Sequence, residues 1–155
     1  MSIHSDIKEE IKDATRLRDR LRLTALRSII AEFTNEAIDK GLDRDKDLDD
    51  EMAQGIIIRL VKQRRDSIEQ FEGAGRHDLA STEQHELSVL EKYLPEQMTE
   101  KEIEEFLKEK MKALKVTDRK KLGLLMGTAM KELKGAADGR AVKRIAEKLV
   151  PEDKK

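Results

Sequence analysis

Aliphatic residues recur along the chain at intervals of three and four, the spacing that puts side chains on one face of an α-helix. The clearest case covers residues 17–40 and aligns seven apolar side chains before Gly41, namely Leu17, Leu21, Ala25, Ile29, Ile30, Phe33 and Ala37. No segment alternates with the two-residue period of a strand, and no hairpin signal is present. The pattern predicts an all-α fold.

Seven helices are expected, and capping residues, glycines and prolines mark their ends. Four precede Pro95, over about residues 3–15, 17–40, 51–72 and 79–94. The third and fourth flank a glycine turn and so form a helical hairpin. After Pro95 the pattern restarts with a capping box, Thr99 with Glu102, and the last helix begins at the N-cap Asp138. We therefore predict an N-terminal four-helix unit, residues 1–95, and a small C-terminal three-helix bundle, residues 96–155.

Charge divides the chain in a way that its total of −1 conceals. Residues 1–94 hold 16 Lys and Arg against 21 Asp and Glu, a net of −5, whereas residues 95–155 hold 16 against 12, a net of +4. A basic half of this kind attracts anionic partners such as nucleic acid.

Motifs for catalysis and metal binding are missing from the sequence. There is no cysteine, so disulfides, thiol catalysis and cysteine-ligated zinc are excluded. The three histidines lack metal-ligand spacing, and no phosphate-binding loop, dinucleotide fingerprint or nucleophile elbow is found. We predict no catalytic residues, no metal and no cofactor. Since apolar runs are short and no targeting segment is visible, we also expect a cytoplasmic protein without a membrane partner.

One charged residue interrupts the apolar seam of each helix in the predicted hairpin. Arg64 lies in a row with Val61 and Ile68, and Glu83 lies in the matching row of the next helix. An antiparallel hairpin brings Arg64 within about one turn of Glu83. We interpret the two as a structural ion pair that sets helix register. The alternative is that Arg64 binds a ligand.

Two glycines, Gly123 and Gly127, lie one turn apart inside the predicted sixth helix. Each costs about 1 kcal/mol of helix propensity relative to alanine, so a compensating reason is expected. Close contact between two helices is one explanation. Close approach of a phosphate backbone is the other.

The connection between the last two helices is rich in cations. Seven basic residues form the candidate RNA-binding set, namely Lys120, Lys121, Lys131, Lys134, Arg140, Lys143 and Arg144. A helix N-terminus offers free N–H groups to anions, and these side chains add positive charge around it. Two observations count against a site: Asp138 can itself occupy the free donors, and charge runs are usually solvated faces.

Several linked motifs resemble those of the bacterial YqeY family. They are Lys62–Phe71, Ala74–Leu79, Tyr93–Gln97, Met126–Met130 and Leu133–Val142. That family is in turn similar to the tail of the GatB subunit of the tRNA-dependent amidotransferase. The resemblance implies a helical extension that helps to hold tRNA, since ATP-dependent activation and amide transfer belong to other domains of that enzyme.

Three functions follow as hypotheses. The first is a non-catalytic helical module that binds structured RNA, tRNA before others, through the C-terminal unit. The second is an accessory role beside amidotransferase subunits, under the family label of a carbon–nitrogen ligase with glutamine as amido-N-donor. The third is a protein–protein interaction module that uses the acidic N-terminal helices. DNA binding is disfavoured because the connection over residues 134–139 is longer than a helix-turn-helix turn.

Overall fold

The computed structural model describes residues 2–151, and its regular structure within that range is entirely helical, which confirms the all-α prediction. The helices are α1 (Ile3–Arg16), α2 (Arg20–Asp39), α3 (Asp50–Gly73), α4 (His77–Glu91), α5 (Glu100–Leu114), α6 (Leu122–Leu133) and α7 (Gly139–Leu149). A short 3-10 turn, Arg119–Lys121, precedes α6. Among these helices none is long and apolar enough to cross a bilayer.

The chain separates into two compact units between Leu94 and Pro95. In the N-terminal unit α3 and α4 form an antiparallel hairpin about Gly75, which has a φ of +73°. The apolar core of this unit includes the fully buried side chains Ile7, Leu26, Ile29, Phe33 and Ile57. Because these side chains come from α1, α2 and α3, the core is formed by the first two helices together with the hairpin.

Leu17 and Leu21 do not join this core, contrary to the prediction from helical spacing. They are 70% and 58% exposed. α1 ends at Arg16, Arg18 turns the chain with a φ of +56°, and the Asp19 side chain accepts a hydrogen bond from the N–H of Arg22 to cap α2. The cap starts α2 three residues later than predicted, and the reversal leaves both leucines facing solvent.

The C-terminal unit packs α5, α6 and α7 around a second aliphatic core. Leu107, Leu125, Val142 and Val150 are its largest fully buried side chains. The predicted capping box is confirmed: Thr99 accepts from the N–H of Glu102, and the Glu102 side chain accepts from the N–H of Thr99. The expected N-cap of the last helix, Asp138, is confirmed as well.

Candidate nucleic-acid interface

The outer face of α6 is an open helical surface of the C-terminal unit. Leu125, Ala129 and Leu133 point into the core and are at most 7% exposed. On the opposite side four exposed residues follow one another at helical spacing, Lys120, Leu124, Gly127 and Lys131, with Gly123 beside them. We call these five residues the α6 outer face.

Neither glycine of this face contacts another part of the described chain. A Cβ built on Gly123 or Gly127 would meet nothing within 4 Å, and both residues are exposed. Close helix–helix packing, the first of the two explanations from sequence, is therefore wrong for residues 2–151. The helix backbone is bare at two successive turns, where another molecule can approach it closely.

The 3-10 turn before α6 places lysines at the N-terminal end of this face. Asp118 accepts a hydrogen bond from the N–H of Lys120 and so caps the turn, which leaves the side chains of Lys120 and Lys121 exposed. Arg119 behaves differently, since its Nη2 donates to the carbonyl of Glu147 at 3.1 Å. Arg119 thus anchors the turn to the end of α7 instead of extending the basic surface.

The connection from α6 to α7 is held by backbone and side-chain contacts that sequence reasoning missed. Gln97 Nε2 donates to the carbonyl of Gly135 at 2.8 Å, and the N–H of Met98 donates to the carbonyl of Ala136 at 2.8 Å. The only signal in the sequence was the presence of an amide side chain, Gln97, two residues after Pro95. These contacts fix the connection and with it the position of Lys134.

The first turn of α7 is capped internally. Asp138 Oδ1 accepts a hydrogen bond from the N–H of Arg140 at 3.2 Å, so this helix end is not the open anion site considered from sequence. Arg140 and Asp138 also take part in further interactions. Arg144 forms an ion pair with Glu100 of α5. Both arginines of the candidate set therefore have partners within the protein.

Unlike the two arginines, which have partners, the five lysines of the candidate set form no ion pair within the part of the chain that the structure describes. All five are exposed, namely Lys120, Lys121, Lys131, Lys134 and Lys143. Residues 115–151 hold ten Lys and Arg against four Asp and Glu, a net of +6, while residues 95–114 have a net of −2. The positive charge of this half is thus concentrated on the part of the chain that contains α6 and α7.

In the N-terminal unit Arg64 bridges two carboxylates. Its Nη1 lies 3.0 Å from Glu83 Oε2 and 2.8 Å from Glu86 Oε2, and the three side chains are 18% to 27% exposed. Glu86 was missed, although its position three residues after Glu83 on the same helix face was a signal. A guanidinium whose Nη1 contacts two carboxylates holds α3 against α4, and the negative charge of both glutamates disfavours an anionic ligand beside it.

A buried histidine ties the N-terminus to the loop before α3. His4 Nδ1 accepts a hydrogen bond from the N–H of Leu48 at 2.9 Å, and the imidazole packs edge-on against Phe33 with ring centres 4.9 Å apart. Its Nε2 lies 4.0 Å from Asp47 Oδ1. Burial lowers the pKa of His4, against the opposing effect of the Asp47 carboxylate. Its role is structural, and over the described residues no cluster of three His, Cys, Asp or Glu is suited to a metal ion.

Comparison with known proteins identifies the family. The model of the family described as Yqey-like protein matches residues 4–150. Several relatives bear the name altered inheritance of mitochondria protein 41, mitochondrial. The one from Pyrenophora tritici-repentis is 31% identical over 148 residues, which cover 93% of this chain and 78% of that protein.

Two further relatives of the same name align over different lengths. The one from Saccharomyces cerevisiae strain YJM789 is 29% identical, with 88% of this chain and 70% of that protein covered. The one from Kluyveromyces lactis is 36% identical over 56% of this chain and 45% of that protein. In the alignment with the Kluyveromyces protein, as with the one from Candida glabrata at 48%, the chain spans about half the length of its relative. The family match runs through both helical units, and the chain belongs to the YqeY-like protein family.

Proposed function

We propose that this chain is a non-catalytic helical module that binds structured RNA, tRNA before other RNAs, through the α6 outer face and the lysines next to it. The observation that carries the proposal is the bare helix backbone at Gly123 and Gly127, which lies between exposed lysines that form no ion pair with residues 2–151. A side chain at either glycine would hold a phosphate backbone away from the helix.

The spacing of the charges suits a nucleic-acid backbone. Lys120 and Lys131 are eleven residues apart, which corresponds to about 16 Å along the helix, so the two ammonium groups can contact separate phosphates. Duplex RNA is recognised mainly by its shape and through contacts to phosphates and 2′-hydroxyls. Lysines on an open surface fit that kind of recognition better than the recognition of a small molecule, which favours a concave pocket.

The resemblance to the GatB tail supports the same function, because that tail helps to hold tRNA. The capped start of α7 counts against contact at the α6–α7 connection. We therefore propose the α6 outer face as the contact, together with Lys121 and Lys134 at the two ends of α6 and Lys143 of α7.

A tRNA-binding assay at several salt concentrations tests the proposal. The triple variant Lys120→Glu, Lys131→Glu, Lys134→Glu should bind at least about tenfold more weakly than the parent chain. The slope of log affinity against log salt should become shallower by roughly 0.7–0.9 for each phosphate that the variant no longer neutralises. The matched control is the triple variant Lys101→Glu, Lys108→Glu, Lys112→Glu, which reverses three exposed lysines of α5 in the same unit and changes the net charge by the same amount. Equal affinity of the triple variant and the parent would remove this site.

One alternative function and one prediction of location stay open to direct assays. An accessory role beside amidotransferase subunits requires co-purification with them and amide transfer that depends on this chain. A cytoplasmic location also stays a prediction, which fractionation of native cells would test, since the names of the fungal relatives state that those proteins are mitochondrial.

A further inference from the structure

A long groove runs between α2 and α3 in the N-terminal unit. It consists of three adjoining depressions with volumes of about 300, 360 and 210 Å³. Glu36 and Arg59 line both of the larger depressions, and Glu32 lines the first and the third. Because they share walls, the three depressions form one continuous surface, which we call the α2–α3 groove.

The dimensions of the groove match a helix. On α3 its lining extends from Glu51 to Ser67, sixteen residues apart, which corresponds to about 24 Å. A helix of roughly four turns would fill this length. Apolar groups line it as well: Met52 and Ile56 lie in the wall, and Ile38 at the edge is 52% exposed. Ile56 is only 5% exposed, so Ile38 and the partly buried Met52 provide the apolar area that a partner can bury.

Gly55 makes the groove accessible near the end that Glu51 lines. It lies inside α3, is exposed, and a Cβ built on it would meet nothing within 4 Å. Nothing in the packing of the described chain therefore requires a glycine here, although it costs about 1 kcal/mol relative to alanine. A partner whose backbone approaches α3 at this turn would account for the missing side chain.

Charge specifies the partner. Residues 39–51, which connect α2 to α3 at one end of the groove, hold seven Asp and Glu against three Lys and Arg, a net of −4. Within the described chain the two cations that line this part already have partners, Arg59 with Glu32 at 3.1 Å and Lys40 with Glu36 at 3.0 Å. Asp39 and Glu51 are exposed and form no ion pair with residues 2–151. The end of the groove therefore presents uncompensated negative charge to an incoming chain.

We propose that the α2–α3 groove binds a basic amphipathic helix of a partner protein. The apolar face of that helix packs on Ile38 and Met52, and its backbone passes over Gly55. Its lysines or arginines face Asp39 and Glu51. This mode of recognition, in which a helix lies in a groove with anchors at helical spacing, is common among peptide-binding proteins.

Fluorescence anisotropy with synthetic peptides tests the proposal on the full chain. The probe is a labelled peptide of about 18 residues, with leucines at helical spacing and lysines on its other face. A twin with glutamates in place of lysines and a scrambled lysine peptide without the apolar stripe are the peptide controls. We expect the amphipathic lysine peptide to bind at least about tenfold more tightly than either control.

Matched variants locate the binding site. Gly55→Gln should weaken binding at least about tenfold, whereas Gly73→Gln, at another exposed glycine of α3 with free space around it, should change it less than about twofold. Ile38→Ser should weaken binding, and Leu17→Ser, which removes an apolar side chain at least as exposed, should not. Equal binding of the glutamate or scrambled peptide, or equal weakening in the control variants, overturns the proposal. A dimer of the chain that Gly55→Gln dissociates also overturns it, because a second copy is then the occupant.

Discussion

Replacing Arg64 by methionine removes the cation that Glu83 and Glu86 share between α3 and α4. We expect this variant to lose about 2–3 kcal/mol of unfolding free energy and to keep its helical content. Methionine retains the apolar stem that packs in the seam, so the loss is chiefly electrostatic. Two partly buried carboxylates then face each other without a counter-ion.

The magnitude follows from distance and burial. At 3.0 Å and an effective dielectric constant of 20, each contact of Arg64 is worth about 5–6 kcal/mol before desolvation. Removing one partner of a fully buried pair costs about 3–5 kcal/mol, while an exposed pair contributes about 0–1 kcal/mol. Side chains that are 18% to 27% exposed lie nearer to the buried case, which gives the intermediate figure.

Urea unfolding followed by circular dichroism measures the effect. With a slope of about 1–3 kcal/mol per molar, the midpoint should fall by about 0.7–3 M. Adding Glu83→Gln and Glu86→Gln to Arg64→Met should restore part of the loss, because no unpaired charge remains. Unchanged stability of Arg64→Met, or a triple variant no more stable than the single one, would refute the reasoning.

Other predictions address separate parts of the chain. Because burial lowers the pKa of His4 in the folded state, the unfolded chain takes up a proton more readily, and unfolding free energy should fall as the pH drops below about 6.5. Urea titrations at several pH values should show this slope, and His4→Gln should flatten it. Burial also raises the pKa of Tyr93, so the absorbance change of this single tyrosine should occur above pH 10 in the folded chain. In urea, where the chain is unfolded, the same change should occur at a lower pH. Thr99→Ala should cost about 1 kcal/mol through loss of the capping box, and Thr99→Ser should not, as thermal unfolding can show. Gly123→Ala and Gly127→Ala should each add about 1 kcal/mol of stability in the same measurement, since their Cβ atoms have free space.

Helix number and most helix ends could be predicted from sequence because local chemistry determines them. Thr99, Asp138 and Gly75 each act on the backbone within a few residues, so their effects do not depend on the rest of the fold. Periodicity likewise predicted the buried stripe of α2, namely Ala25, Ile29, Phe33 and Ala37. Leu17 and Leu21 were misassigned because spacing alone does not reveal a chain reversal at Arg18.

Contacts between distant segments could not be predicted in this way. The hydrogen bond from Gln97 to Gly135 joins residues 38 apart in the chain, and the histidine contact to Leu48 joins residues 44 apart. The α2–α3 groove depends on the distance between two helices, which no local pattern encodes. The sequence identified each basic residue of the candidate set, but it did not show which of them have partners within the protein. The structure shows that Arg144 pairs with Glu100 and that the N–H of Arg140 donates to Asp138.

The backbone conformation at the end of α6 links the stability of this protein to its proposed RNA affinity. Lys134 adopts a φ of +44°, a left-handed conformation that costs an ordinary residue roughly 1 kcal/mol and a glycine nothing. Substituting Lys134 by glycine would therefore relieve the backbone while deleting a positive charge from the α6 border. Selection for thermal stability alone would therefore favour this substitution. If the chain binds RNA as proposed, the variant would be more stable but would bind RNA more weakly.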